Sequence, residues 1–559
     1  MRATEKAIAV LAGPGSGKTR TLSFRTRHLL LHEPDSHALL LTFTNKAAAE
    51  MKTRAIGVSL VASNRIDAST FHTFGASLLR NHGSLIGINP EFDILDDDEA
   101  GLFAAAVASS AGVGNYRAAW GRARRRQLPT PKRISPFADA YETAKRAASV
   151  VDFDDLVVYS AELLEGNTTL AAAYGARFPH ILVDEFQDTN AAQFAIVKAL
   201  CPHVATVSVF ADDDQAIFHF ADAEAQHIRR FADELDAKEY PLTCNYRCRE
   251  AIVERANLLI TAEPTASGRR MHPDKSGGLV AVREYESLEE EAAALATEIA
   301  EGVHERHVSP AKIAVLVRSG FRANEIVDEL GALGVPLNDW RGAAYEPKER
   351  RGLITCMSAV RARLTDRQAR LLSEFMGVEL VDERDTHRFL ETYDAHPVAM
   401  QLLQVRELAF AGAGPRDVVA AAQGAAIVAD TALADAMQAL VDAVGDFERF
   451  DPDYTLEHLL ADLALKSGGR PPTEGGGVKV ATLHSTKGLQ WPTVYLIGLE
   501  EGKLPDYRNV DTAEKLAEER RACFVGACRA EDTLILTWSR RFRTMQQGPS
   551  RFLREMRLI

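Results

Sequence analysis

Residues 12–20 read Ala-Gly-Pro-Gly-Ser-Gly-Lys-Thr-Arg, directly after the apolar run Ala7-Ile8-Ala9-Val10-Leu11. A buried strand, a glycine-rich turn and a helix opening on Lys-Thr make a phosphate-binding loop. Backbone N–H groups from Ala12, Gly13, Pro14, Gly15, Ser16 and Gly17, proline excepted, and the helix N-terminus converge on anionic oxygens. Lys18 reaches the β/γ oxygens, and the Thr19 hydroxyl suits Mg²⁺. A second apolar run, Ile181-Leu182-Val183, ends in Asp184-Glu185. Beside a phosphate loop, Asp184 can hold Mg²⁺ through its water shell, while Glu185 can take a proton from an attacking water. Gln215 follows a third run, Val207-Ser208-Val209-Phe210-Ala211, where it can sense a γ-phosphate. Tyr246-Arg247 offers an aromatic face for a base and a guanidinium for phosphate.

These groups need a scaffold that brings strand ends together. Ala38 to Phe43 reads as a buried strand, Thr44 to Met51 as a helix, and Ile66 to Phe74 as a strand running into a helix. Strands alternating with helices give a parallel sheet, which binds ligands at its carboxyl edge. Phe43, Phe71 and Phe74 lie at two such edges, where they serve either as core or as stacking faces for a nucleic-acid strand. Residues 82–172 interrupt the alternation with helical, Ala-rich sequence. They contain Arg117, Arg122, Arg124, Arg125, Arg126, Lys132 and Arg133 with no acid between them. That run is either a solvated loop or a patch that tracks phosphates. A second alternating block follows residue 252. It holds the strand Lys312–Val317, the strand Val478–His484 and the strand Thr493–Ile497. A helix over 518–530 carries Arg529, and Thr533 to Trp538 closes the sheet. The expected organisation is α/β: two parallel-sheet cores, 1–81 with 173–251 and 252–345 with 475–559, with mostly helical insertions at 82–172 and 346–474.

A length of 559 residues fits about three or four folding units. With 46% hydrophobic and 26% charged residues, core formation is not in doubt. The net charge of −13 excludes a generally cationic nucleic-acid coat but allows a local basic groove. No apolar stretch reaches membrane-spanning length, and Met1 to Lys6 lead straight into the first strand, so a cytoplasmic protein is expected. Six cysteines without a CxxC pair read as reduced structural thiols.

Taken together, AGPGSGKTRTL (12–22), LTFTNKAAAEM (41–51), STFHTFG (69–75), ILVDEFQDTN (181–190), DDDQAIF (212–218), NYR (245–247), VKVATLHSTKGLQW (478–491) and EERRACFVGACRA (518–530) resemble the superfamily 1 DNA helicases of the UvrD/Rep/PcrA type. VDFDDLV (151–157), IAVLVRSG (313–320) and PSRFLRE (549–555) extend the resemblance over nearly the whole chain. It implies two RecA-like cores, ATP as substrate, Mg²⁺ as cofactor and 3′–5′ movement along single-stranded DNA with duplex unwinding. Carried over, Arg20 lies beside adenine and Tyr246 stacks on it. Arg247 and Arg529 act as arginine fingers, and Phe43, His72, Phe220 and His484 contact single-stranded DNA. Single-stranded DNA and junctions are the implied partners, in repair, replication or defence, with a nuclease or repair protein as a further one.

Several positions depart from the family. Only Met1 to Lys6 precede the first strand, without the usual adenine-reading Gln. Ala221 replaces an Arg, Gln490 stands where a Glu near the ribose is usual, and Cys528 replaces a Thr before Arg529. No Gly-Ile-Gly duplex-binding turn occurs within 346–474, and the chain ends soon after Glu555. These departures favour, as an alternative, a nucleotide-gated DNA-binding regulatory subunit of a nuclease or anti-phage complex.

Overall fold

The computed structural model describes the chain apart from residues 1–2, 58–62, 218–225, 264–267, 339–346, 361–363, 430–432, 439, 442–443, 445–454, 457–458, 460–475 and 543–544. The first sheet contains β1 (Ala7–Ala12), β2 (Ala38–Thr42), β3 (Ile66–Thr70), β6 (His180–Val183), β7 (Thr206–Ala211) and β8 (Lys238–Leu242). Their order is β3-β2-β6-β7-β1-β8, and every pairing is parallel. The two-residue period of a strand divides β1 between two apolar layers. Ala7, Ala9 and Leu11 face the cluster built with Leu39, Phe74, Leu156 and Phe194. Ile8, Val10 and Ala12 face Leu22, Leu40, Leu182 and Phe210. Burial on both faces explains why these strands read as continuous apolar runs.

The short strands β4 (Asp93–Ile94) and β5 (Val150–Val151) pair with each other outside that sheet. Helices Asp97–Ala111, Arg117–Arg125 and Ser135–Ala147 surround Trp120, Phe137 and Tyr141. The helix Phe153–Gly166 packs into the apolar layer under the first sheet.

A single residue, Thr243, separates β8 from β9 (Cys244–Arg249), which leaves the first sheet and pairs with β10 (His272–Lys275). The stretch from Tyr240 to Arg247 is therefore divided between two strands. The break arises where Gly13 N donates to Leu242 O and His272 N donates to Thr243 O, so consecutive carbonyls serve different partners. The second sheet contains β11 (Leu279–Ser287), β12 (Ile313–Val317), β13 (Leu337–Asn338), β14 (Val478–Thr482), β15 (Trp491–Leu496) and β16 (Ala530–Phe542), in the order β11-β16-β15-β12-β14-β13. These pair in parallel, and β17 (Met545–Gln546) adds antiparallel to β16. Two parallel, doubly covered sheets are the architecture of two RecA-like cores.

Thr533 to Trp538 lies inside this sheet and does not close it, because β11 pairs with its outer side. The helix before it also ends sooner than expected, at Ala527. Cys528 caps it, and Trp491 N takes the Arg529 carbonyl into the β15–β16 ladder. Arg529 thus sits in the turn between helix and strand. In the second insertion, helices Pro347–Met357, Asp366–Met376, Pro397–Phe410 and Pro415–Ala429 gather around Leu353, Leu372, Leu402 and Val418. Parts of the expected helical insertion over 346–474, residues 430–432 and 460–474 among them, lie outside the described residues.

Candidate functional site at the cleft between the cores

Beyond β1 the chain turns through Gly15 and Gly17, both at positive φ (69° and 80°), before the helix Lys18–His32 begins. Positive φ favours glycine, and at Gly15 a Cβ would lie 2.7 Å from Arg247 Cβ. The segment after β8 braces this turn. Asn245 Nδ2 donates to Pro14 O at 2.8 Å, and Tyr246 N donates to Gly15 O at 2.9 Å. Asn245 Oδ1 in turn accepts from the Arg247 and Cys248 amides, at 2.9 and 2.8 Å. Asn245 therefore fixes the distance between phosphate loop and arginine. Ser16 Oγ is buried with no hydrogen bond, a donor available to an oxygen-rich ligand.

Asp184 and Glu185 leave β6 beside this loop. Asp184 N donates to Leu41 O, while Glu185 takes a left-handed turn with φ 52°. A non-glycine residue in that conformation stores strain, which is common at reactive positions. Lys18 Nζ lies 2.6 Å from Glu185 Oε1 and 3.7 Å from Asp184 Oδ1. From the second core, Lys487 lies 3.4 Å from Glu185 Oε2, pairs with Asp188 and donates to Gln215 O at 3.1 Å. Burial works against the Glu185 charge, but Lys18 and Lys487 overcome it and hold its carboxyl well below the usual carboxylate range. Burial dominates at Asp184 and, reinforced by Glu185 against the pull of Lys18, raises it to about 6. Burial also opposes the Lys18 charge, yet Glu185 and Asp184 raise its pKa.

Gln215 connects the two sides of the cleft. Its Nε2 donates to Asp212 Oδ2 at 2.6 Å, and its Oε1 accepts from Arg529 Nη2 at 3.0 Å. Burial, then Arg247, lowers the Arg529 guanidinium to about 10, so it remains charged at neutral pH. Arg247 donates to Gln490 Oε1 at 2.7 Å and to Cys528 O at 3.2 Å. All six expected catalytic side chains, Lys18, Asp184, Glu185, Gln215, Arg247 and Arg529, thus belong to one connected cluster drawn from both cores. Tyr246 is 55% exposed, with its ring open to solvent. Arg20 lies over Phe24 and within electrostatic reach of Tyr246. Thr19 follows Lys18 in the first turn of the helix. A hydroxyl from Thr19 and a carboxylate from Asp184 form a hard-oxygen pair of the kind Mg²⁺ takes alongside phosphate and water. They fit that ion without a dedicated cage, and among the described residues no group of three or more His, Cys, Asp or Glu side chains forms one.

Four contributors went unassigned in the sequence reading. Lys487 and Gln187 contact Glu185, Asp212 orients Gln215, and Asn245 ties the loop. The Thr-Lys-Gly of LHSTKGLQW was the signal for Lys487, but its partner Asp188 lies 299 residues away.

Of the residues expected at DNA, Phe43 and His72 come together because β2 and β3 pair with Thr42 opposite Thr70. Phe43 meets Phe71 edge-on at 6.3 Å between ring centroids, and His72 meets Phe153 at 6.2 Å. Thr42 Oγ1 and Ser69 Oγ at the same edge are buried without hydrogen bonds. His484 follows β14 in the second core, where burial and then Arg318 lower its imidazole to about 4, leaving it neutral. Phe220 and Ala221 lie outside the described residues.

The basic run at 117–133 divides into a helix, Arg117–Arg125, whose arginines partly pair with acids, and an exposed loop over 127–133. Arg117 pairs with Asp97, Arg124 with Asp155 and Arg125 with Asp154, while Arg133 lies over Tyr116. Acids from distant helices neutralise charges that look unopposed along the chain.

Residues 1–236 match the family described as the UvrD/REP helicase N-terminal domain, and residues 240–349 and 389–541 match the UvrD-like helicase C-terminal domain. The chain is 29% identical to DNA helicase II of Salmonella typhimurium, over 98% of this chain and 85% of that protein. It is 27% identical to ATP-dependent DNA helicase PcrA of Staphylococcus epidermidis, over 100% of this chain and 85% of the relative. Identity to ATP-dependent DNA helicase UvrD1 of Mycobacterium bovis is also 27%, over 98% and 83%.

Proposed function

The chain belongs to the UvrD/REP helicase family, and we propose that it couples ATP hydrolysis to 3′–5′ movement along single-stranded DNA and to duplex unwinding. The observation that carries this reading is the bridge from Arg529 of the second core to Gln215 of the first, beside Glu185. A hydrolytic group whose neighbours come from two bodies works only when those bodies close, so each turnover is linked to relative motion.

In this reading Glu185 is the general base. It is kept ionised by Lys18 and Lys487, and its side chain is oriented by Gln187. An anionic carboxylate beside the phosphate loop takes the proton of the attacking water at one of its Oε atoms. Lys18 and the amides of Gly15, Gly17, Lys18 and Thr19 hold the β/γ oxygens. Gln215 reports γ-phosphate contact to Arg529, and Arg247 and Arg529 offset charge on the transferred phosphoryl group. Bound Mg²⁺, held by Thr19 and Asp184, would neutralise phosphate charge. Tyr246 and Arg20 take adenine. Phe43 and His72 at one edge, with Phe220 and His484, contact the single strand.

Two measurements test this. ATP turnover with and without single-stranded DNA should show strong stimulation, and its absence removes the motor. Strand displacement should occur on 3′-tailed duplex and not on 5′-tailed or blunt duplex. DNA-stimulated turnover without any displacement would instead point to a nucleotide-gated subunit that serves a nuclease.

A further inference from the structure

Two buried cysteines lie where the cores meet, each adjacent in sequence to one of the cleft arginines. Cys248 follows Arg247 on β9, and Cys528 precedes Arg529 as the cap of the helix Ala513–Ala527. Both are 0% exposed. Cys248 Sγ lies 3.6 Å from Cys528 O, the same carbonyl that accepts from Arg247 Nη1 at 3.2 Å. Each thiol also acts electrostatically on the other. Contact between them requires the particular pairing of strand β9 with the turn before β16, two segments 280 residues apart.

We propose that Cys248 and Cys528 are a redox modification site: hydrogen peroxide converts the pair to a reversible disulfide that locks Arg247 and Arg529 together and stops the ATPase cycle. The part concerning turnover rests on the function proposed above, whereas the disulfide itself does not.

The two thiols differ in a way that sets the order of events. The hydrogen bond with Cys528, aided by Arg247 and Arg529 and opposed by burial, lowers the Cys248 thiol. Burial, then Cys248, raises Cys528 well above an ordinary thiol. Cys248 is therefore the nucleophile and Cys528 the resolving group. The Cys248 thiolate attacks one peroxide oxygen, the O–O bond breaks, and the departing hydroxide takes a proton to become water. This leaves a sulfenic acid on Cys248. The Cys528 sulfur then attacks the Cys248 sulfur. An S–S bond forms, the S–O bond breaks, and the leaving hydroxide combines with the Cys528 proton as a second water. Two thiols and one peroxide thus yield one disulfide and two waters. Peroxide enters when the contact between Arg247 and the Cys528 carbonyl opens, so a cycling enzyme is the susceptible one. The other four cysteines are also free thiols, but the two residues in contact beside the cleft arginines are Cys248 and Cys528.

The test uses the full chain, treated with hydrogen peroxide during ATP turnover, then alkylated and digested without reductant. The expected result is a peptide pair linked through Cys248 and Cys528, with turnover falling to baseline and returning on addition of dithiothreitol. Cys248→Ser and Cys528→Thr, each compared with its own untreated activity, should resist peroxide, while Cys523→Ser should remain sensitive. Absence of the linked peptides overturns the site, and equal peroxide loss in Cys248→Ser overturns its effect on turnover. A linked peptide from a chain with no turnover even when reduced upholds the site and counts against the proposed function.

Discussion

The molecule contains two buried ionic clusters of similar composition and opposite character. At the cleft, Lys18 and Lys487 flank Glu185, with Asp184 and Asp188 close by. In the first insertion, Lys145 and Arg124 flank Asp155, with Asp152 and Glu142 close by. The insertion cluster takes its members from neighbouring helices and is roofed by Trp120, Tyr141 and Tyr159, over which its cations lie. The cleft cluster takes one lysine from each core. Composition alone therefore does not distinguish a working site from a brace. The number of cores that supply the charges does.

That difference can be broken experimentally. Lys18→Ala should lower turnover by about 100-fold or more, the scale for losing a preorganised charge contact, while Lys487 still faces Glu185 and limits the loss of stability. Asp155→Ala should do the reverse. It leaves Lys145 and Arg124 buried without their carboxylate, so stability should fall by about 3–5 kcal/mol in chemical denaturation, while turnover per folded molecule is kept. Lys487→Ala should reduce DNA-stimulated turnover more than basal turnover, since Lys487 reaches Glu185 from the other core. Equal reductions would show that it serves only as a local charge. At the half-buried margin of the insertion cluster, Asp154→Ala removes the carboxylate that pairs with Arg125 and should cost less than Asp155→Ala, about 1–3 kcal/mol.

A pH series sharpens the comparison further. Burial, with Asp155 beside it, raises Asp152 to about 6. Its folded value therefore lies above its unfolded one, and between the two the folded chain binds more protons. Stability from this group is full below the unfolded value and is lost as pH rises through about 6. Asp152 also caps the helix Phe153–Gly166, a role that Asn fills equally well. Asp152→Asn should consequently remove this falling component of the stability profile while keeping the helix, as read by urea midpoints from pH 5 to pH 8.

Much of the first sheet was legible, because strands buried on both faces leave unbroken apolar runs and each run stops at a residue with a chemical use. Gly13, Asp184 and Asp212 directly follow β1, β6 and β7 in this way. What was not legible depended on pairings across long separations. Arg117, Arg124 and Arg125 looked unopposed until Asp97, Asp155 and Asp154 were placed against them. Lys487 lay inside a recognised motif, but its carboxylates came from the other core. Arg529 was assigned to a helix since its surroundings are helix-forming, whereas the ladder with Trp491 had already claimed its carbonyl. Local sequence encodes strand and turn, and the partner of a charge is set by topology.

Thr243 is the whole of the chain between the last strand of one sheet and the ribbon that enters the other core. A link of one residue has almost no slack, so it behaves as a stiff pivot. Any rotation of the second core about it acts as a torque on Asn245, two residues further along, whose side chain grips Pro14. Mechanical load applied to the second core by a resisting duplex would thus be felt first at the phosphate loop. Stalling and nucleotide release would then be two readings of the same strain.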